Sequence, residues 1–346
     1  MAGHGLRFRI PVLRDEAGSV VAAAPGISKP DMIGDYGPEN HWIRHALRQG
    51  LAVLPKFQLE TPLTPVSGPR LLTHPDWPRA PLAGALLQAV LDLNARSSSN
   101  ALTISRMTDA DAELARKAGM IISHEVASVW HNDGYVSHTD FLSRLKARLR
   151  YDLTHERRIF RQAGVKVRVL TGSEIRAAHW DAFHAGYRAI CAKHHDRVLL
   201  NRAFFDHLAP LGDDVMLLAA FSGETFRSGT LCVRSGDRLL CRNWSEVEPT
   251  PNAMLELGLH LPIDVAIDLG LTLVDCGVWG AHKSKRGYEA LAQPNAHWLR
   301  HPGLHEVAST IAARHHAGFL AAESASWRSR HFRVERAQPD SSTGSR

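Results

Sequence analysis

Three apolar runs follow one another in the second half of the chain, "VMLLAAFSGE", "TFRSGTLCVRSG" and "RLLCRNWSEV", and the turns between them carry Gly223 and Gly236. Runs of this length divided by glycine turns predict an antiparallel meander of three strands. Two helical segments, "SEIRAAHWDAFHAGYRAICAKH" and "NRAFFDHLAPL", stand before the meander. Behind it come "NAMLELGLHLPIDVAIDLG", long and apolar enough for a helix, and the strand-like "LTLVDCGV" and "NAHWLR". Strands and helices that interleave in this way demand a mixed sheet covered by helices, an α/β chain in the broad sense.

The first half approximates the same order. "RFRIPVL" and "SVVAAAPGI" flank "RDEAG" as a hairpin around a glycine turn. The prolines of "LPKFQLETPLTPVSGPRLL" confine that stretch to an edge strand or an extended loop. A helix over "APLAGALLQAVLDLNARSS", a strand over "NALTISRM", a helix over "DADAELARKAG" and a strand over "MIISHEVASVWH" follow. The expected division is an N-terminal domain over 1–138, a basic connecting helix over 139–163, a C-terminal domain over 164–320 and a disordered basic tail over 321–346.

Charge is concentrated in one place. The net charge is +6, and residues 144–161, "RLKARLRYDLTHERRIFR", set Arg144, Lys146, Arg148, Arg150, Arg157, Arg158 and Arg161 against only Asp152 and Glu156. Leu142, Leu145, Leu149 and Leu153 recur at helical spacing, so one stripe should pack and a basic one should face out, toward either solvent or a polyanion. The N-terminus has no uninterrupted apolar stretch of the signal-peptide kind and no segment reaches a membrane-spanning run of about 20 apolar residues, which predicts a cytoplasmic protein. Cys191, Cys232, Cys241 and Cys276 lack a C-x-x-C pair, and "HWIRH" offers His41 and His45 without a third ligand, so no metal is expected.

Several segments in a fixed order carry a family resemblance: "PLTPVSGPRLL", "WHNDGYVSHTDFLSRLKARLRYDLTHERR", "WDAFHAGY", "LNRAFFDHL" and "GVWGAHKSKRGY". From about residue 10 to 318 the chain resembles the bacterial peptidoglycan biosynthesis or recognition proteins, Fem-like acyltransferases with a twinned GNAT (N-acetyltransferase-like) fold. The resemblance implies tandem GNAT-like domains, the first of them truncated. It also implies an aminoacyltransferase that joins an amino acid from aminoacyl-tRNA to an amine of a small or peptidyl acceptor, with no cofactor beyond that co-substrate. The chemistry suits a chain without a nucleophile motif. An aminoacyl ester is already activated, and positioning plus oxyanion stabilisation suffice.

The same resemblance assigns residues. Glu256 falls on an acidic family position and is the candidate general base, with His282 and Lys283 of the "HK…RGY" loop as its catalytic companions. Arg286, Gly287, Tyr288, Trp279, Arg242, Arg70 and Thr64 are the candidate substrate contacts, and the seven cations of the basic helix the candidate tRNA face. Asp264 and Asp268, four and eight residues past His260, read as a solvated stripe. The chain departs from the family at Met254, Leu261, Trp279 and Ala281, where polar residues are usual, so a catalytically silent binding protein is one alternative. A CoA-dependent N-acyltransferase is another. It is disfavoured because "SEVEPTPNAML" carries Glu246 and Glu248 and no glycine where a pyrophosphate would lie.

Overall fold

The computed structural model describes residues 5–32, 39–61, 63–313 and 330–333, the side chains of 39–42 excepted. Its strands are β1 Arg7–Arg9, β2 Val12–Arg14, β3 Val20–Ala23, β4 Gly26–Lys29, β5 Lys56–Leu59, β6 Leu72–Thr73, β7 Ala101–Ile104, β8 Ile121–His131, β9 Lys166–Thr171, β10 Val215–Ser222, β11 Thr225–Ser235, β12 Arg238–Glu246, β13 Leu273–Val278 and β14 Glu289–Leu299. The helices are α1 Glu39–Arg48, α2 Arg79–Arg96, α3 Asp109–Lys117, α4 His138–Arg144, α5 Ala147–Gln162, α6 Ala177–Lys193, α7 Arg202–Asp206, α8 Ala253–Leu255, α9 Leu261–Asp268 and α10 Ala281–Ser284. Eleven strands join in one mixed sheet, in the order β1-β4-β5-β7-β14-β8-β13-β12-β11-β10-β9, and β2-β3-β6 make a small second one.

The two halves are interlocked through this sheet. β14, from the second half, pairs with β7 on one side and β8 on the other, and β8 goes on to pair with β13. Each half thus has a strand of the other inside its own hydrogen-bond ladder. The meander forms as its pattern demands, with β10 antiparallel to β11 and β11 to β12. β10 is buried over Val215–Phe221 because helices cover both faces. On one face α6 brings Trp180, Phe183 and Tyr187 down onto Leu217 and Leu231. A Cβ at Gly186 would come within 2.8 Å of the Glu246 backbone, so only glycine lets α6 lie this close to β12.

Four sequence expectations are corrected. β5 is an inner strand between β4 and β7, because Pro55 lies just before it and Pro65 and Pro69 beyond it, which leaves its N–H groups free to pair. The connecting helix is two helices, broken at Leu145 and Lys146. There the tail returns, with Leu145 bridged to Phe332 and the Lys146 N–H donating to His331 O at 2.9 Å. The expected disordered tail is therefore docked over residues 330–333, the part of it that is described. Finally, the long helix is interrupted by a π-helical turn over Glu256–His260, where the Leu261 N–H reaches back to Glu256 O. Pro262 has no N–H to continue the α pattern, and Gly258 O instead meets the Cys276 thiol at 3.5 Å.

Candidate active site

β12 and β13 run parallel and pair only over Arg238–Leu240 against Leu273–Asp275. Past that point they separate. On its other edge β12 carries a bulge: Cys232 faces Cys241 and Thr230 faces Trp244, so Arg242 and Asn243 together stand opposite Leu231. A bulge of this kind leaves one residue outside the ladder and bends the strand. Asn243 Oδ1 and Thr230 Oγ1, beside it, are buried and unpartnered among the described residues. Cys241 and Cys276 border the gap as thiols. A hydrogen bond with Cys232 raises the Cys241 pKa, and burial raises that of Cys276, so both stay protonated.

A loop of the first half closes one side. Arg242 Nη2 donates to Leu63 O at 2.8 Å, and Arg238 Nη2 donates to Ser67 Oγ at 2.9 Å while standing 3.5 Å from buried Asp275. Thr64 lies in the turn of that loop, its N–H on Thr61 O. Arg70 anchors the loop from beneath, donating to Ser105 O at 2.7 Å, Thr61 Oγ1 at 2.9 Å and Val66 O. Burial lowers its pKa to about 10. Arg70 is a structural tie here and is too enclosed to meet an acceptor.

The π turn closes the other side through two linked ion-pair clusters. Arg157 Nε donates to both Glu256 oxygens, at 3.1 and 3.0 Å, and Nη2 to Glu256 Oε1 and Asp264 Oδ2, each at 2.6 Å. His138 Nδ1 shares Asp264 at 2.5 Å. In the second cluster Glu156 takes Arg286 at 2.9 and 2.6 Å and His260 Nε2 at 3.2 Å. Burial works against charge on Asp264 and Glu156. Hydrogen bonds from His138 and Arg157, and from His260 and Arg286, nevertheless hold both carboxyls below the usual range. Burial lowers the His260 pKa.

These contacts move several expected residues. Both oxygens of Glu256 accept from the Arg157 guanidinium, so the structure places the expected general base as an anchor of the helix. Arg157, expected on the tRNA face, is turned inward with 13% of its side chain exposed. Asp264, expected in solvent, belongs to the same cluster. Glu156 and His138 were missed. The signal for Glu156 lay in its spacing: it sits four residues before Phe160, and Arg157 four after Leu153, so both flank the buried stripe of α5.

The basic loop after β13 holds α10. Lys283 Nζ donates to Cys276 O at 2.7 Å and Val278 O at 2.8 Å, which ties α10 to the strand end and leaves one ammonium N–H. Burial lowers its pKa. Arg286 is spent on Glu156 and on His282 O. Tyr288 is core, its hydroxyl donating to Leu259 O at 2.8 Å. A Cβ at Gly287, whose φ is 98°, would meet the Phe141 ring at 2.5 Å, so this glycine serves packing. Trp279 is half-buried, its backbone N–H on Val126 O. His282 is different: its side chain is exposed and has no hydrogen-bond partner among the described residues. Partial burial, Lys283 and Arg286 lower its pKa, so it is a neutral imidazole at neutral pH, able to accept a proton.

On α5 the outward stripe is basic. Arg148 is 87% exposed and 3.3 Å from Asp152, Arg158 reaches His155 at 2.8 Å, and Arg161 is exposed. Tyr151, 63% exposed, stacks on His155 with ring centroids 6.1 Å apart. Arg144 lies 4.0 Å from Asp140, Lys146 is exposed at the helix break, and Arg150 is half-buried. Among the described residues no cluster of His, Cys, Asp or Glu could hold a metal, and no helix is long and apolar enough to cross a membrane.

Known structures share this architecture. The chain is similar to L-PGS from Bacillus licheniformis, at 9% identity and TM-score 0.56, over 89% of this chain and 88% of that one. It is also similar to FemX, at 12% identity and TM-score 0.50, over 88% and 90% of the two chains. No curated protein sequence matches significantly. At these identities the likeness is one of fold, the tandem GNAT-like architecture that the family resemblance implies. The family model for FemAB-like peptidoglycan biosynthesis/recognition proteins matches residues 2–333, almost the whole length, and the chain belongs to that family.

Proposed function

We propose that this protein is an acyltransferase that joins an amino acid, carried as an ester on tRNA, to an amine of a small or peptidyl acceptor. The observation that carries the reading is the gap between β12 and β13, which opens past Leu240 and Asp275 beside the bulged stretch of β12 and is bordered at the strand end by an exposed imidazole. For an aminoacyl ester carbonyl placed in the gap, the candidate oxyanion donor is the backbone N–H that the bulge over Arg242 and Asn243 leaves outside the ladder. The acceptor amine attacks that carbonyl carbon, the C–N bond forms, and the C–O bond to the tRNA ribose breaks. The ribose oxygen leaves with the electron pair and is protonated. His282 takes the proton released by the amine, the role that the family resemblance assigns to Glu256. Lys283 contributes positive charge and its remaining N–H, and the outward stripe of α5 offers phosphate contacts to the tRNA.

The test is incubation of the protein with a mixture of charged tRNAs and candidate amines, with mass spectrometry for new amides. Amide formation that requires charged tRNA supports the reading. Amide formed from acyl-CoA and not from charged tRNA overturns it in favour of a CoA-dependent enzyme, against which Glu246 and Glu248 still stand at the entry to α8.

A further inference from the structure

Packing gives Gly258, in the π turn, no reason to be glycine. A Cβ there would stand 3.6 Å from Thr230 Oγ1 and 3.9 Å from Met254 Sδ, ordinary van der Waals distances, and the residue is not among the glycines with positive φ. Gly186 and Gly287 differ, since a methyl at either would strike backbone or a buried ring. Glycine inside a helix is unfavourable relative to alanine. The turn therefore carries a destabilising residue where alanine would fit.

Its surroundings supply a reason. Gly258 is half-buried, and it faces Thr230 of β11 on one side while its carbonyl takes the Cys276 thiol of β13 at 3.5 Å on the other. These two strands flank β12 where it is bulged and parts from β13, so the bare Cα stands at the gap. Its accessible neighbours are soft and uncharged: Met254, 39% exposed, and the partly buried thiols of Cys276 and Cys241, which are hydrogen-bonded to each other. Met254 can adapt to an apolar group laid against it. A cationic side chain brought here would lose water beside two further cations, Arg242, which follows Cys241, and Lys283, which holds Cys276 O.

We propose that Gly258 determines which donor the gap accepts. The side chain of the donated amino acid lies on the Gly258 Cα, between Met254 and the thiols, and the donor has an aliphatic or thioether side chain of leucine or methionine size. A smaller donor would be served as well by alanine at this position. The inference rests on the acyl-transfer reading and names its donor class.

The test uses one tRNA whose terminal 3′-amino-3′-deoxyadenosine carries leucine, alanine or lysine through a stable amide, or carries nothing. Isothermal titration compares the four on the full chain and on Gly258→Ala, beside thermal melts. The leucyl form should bind at least tenfold more tightly than the alanyl and lysyl forms. Gly258→Ala should lower that preference about tenfold or more, since one methyl in a pocket commands roughly 10–200-fold. Its melting temperature should stay level or rise. Equal binding of the three aminoacyl forms, each tighter than the bare tRNA, would overturn the donor class and leave the acyl-transfer reading in place. An equal loss of all three in Gly258→Ala, or a fall in its melting temperature, would make the glycine structural and overturn the assignment. If no aminoacyl form binds more tightly than the bare tRNA, the assignment falls together with the reading it rests on.

Discussion

Arg157 holds Glu256 through three donor contacts between 2.6 and 3.1 Å, across the junction of α5 and the π turn. The pair fixes where the turn sits, and with it the cover over β10 and β11. Arg157 keeps Asp264 when the Glu256 charge is lost, so Glu256→Gln should destabilise the fold by about 1.5–3 kcal/mol, the range for hydrogen bonds to charged groups. Urea denaturation checks this. Full stability with abolished turnover would instead return Glu256 to catalysis.

Acid should loosen the same region through His260, which faces Glu156, Glu256, His138 and Arg157. Its folded pKa lies below the unfolded value of about 6.5. The unfolded chain therefore binds more protons as pH falls, and the stability His260 contributes is present above pH 6.5 and disappears below it. Glu156 and Asp264, also lowered, act in the same direction at more acidic pH. His260→Gln keeps an N–H donor for Glu156 and removes the titration. Between pH 7 and 5 its unfolding free energy should fall less steeply than that of the wild type.

The meander, β8, α2 and the pairing of helices ahead of the meander were legible because each is a run of apolar residues at one period, closed by glycine turns. β14 was legible only from Asn295 onward. Its earlier part, Glu289–Pro294, shows no clear apolar face and pairs with β8 alone, and along the strand Gln293, Asn295 and His297 are buried. His297 bridges Ser123 at 2.7 Å and Thr103 at 3.3 Å, and Asn295 accepts the Arg106 N–H at 2.7 Å. Polar residues satisfied by partners far along the chain leave no local signal. The candidate site was legible as a set of segments, but the commitments within it were not. Arg157 and Arg158 are adjacent in one charge run, and only the turn of the helix decides that the first is inside and the second outside.

Lys283 and Lys285, two residues apart, should behave oppositely in folding. Lys283 fills two strand-end carbonyls, whereas Lys285 is exposed. Lys283→Ala should cost about 1–3 kcal/mol, because it removes hydrogen bonds to groups that are partly shielded from water. Lys285→Ala should stay within about 0.5 kcal/mol of wild type. Thermal melts of the two variants decide it, and equal melting temperatures would show that the carbonyl contacts contribute nothing.

Gly287→Ala should be among the most damaging small substitutions in the second half. The new methyl would enter the Phe141 ring space, and the φ of 98° is strained for any L side chain. Phe141 is buried against Trp130 and Tyr135, with ring centroids 5.8 and 5.3 Å away, so it has little room to yield. A destabilisation of about 2–3 kcal/mol in urea unfolding is expected.

Nucleic-acid binding should separate the two faces of α5. Arg148 and Arg158 point outward around the stacked Tyr151 and His155, a surface that could take phosphates on its cations and a base on its rings. A phosphate that the protein no longer neutralises keeps its condensed counterions, so Arg148→Glu with Arg158→Glu should weaken tRNA binding. It should also lower the slope of log affinity against log salt by about 2. Arg157→Leu should change stability far more than the slope, because its guanidinium is occupied by Glu256 and Asp264. Filter-binding titrations from about 50 to 200 mM salt, read beside urea melts, distinguish the two effects. A salt slope unchanged in the Arg148 and Arg158 double variant would place the polyanion on another surface.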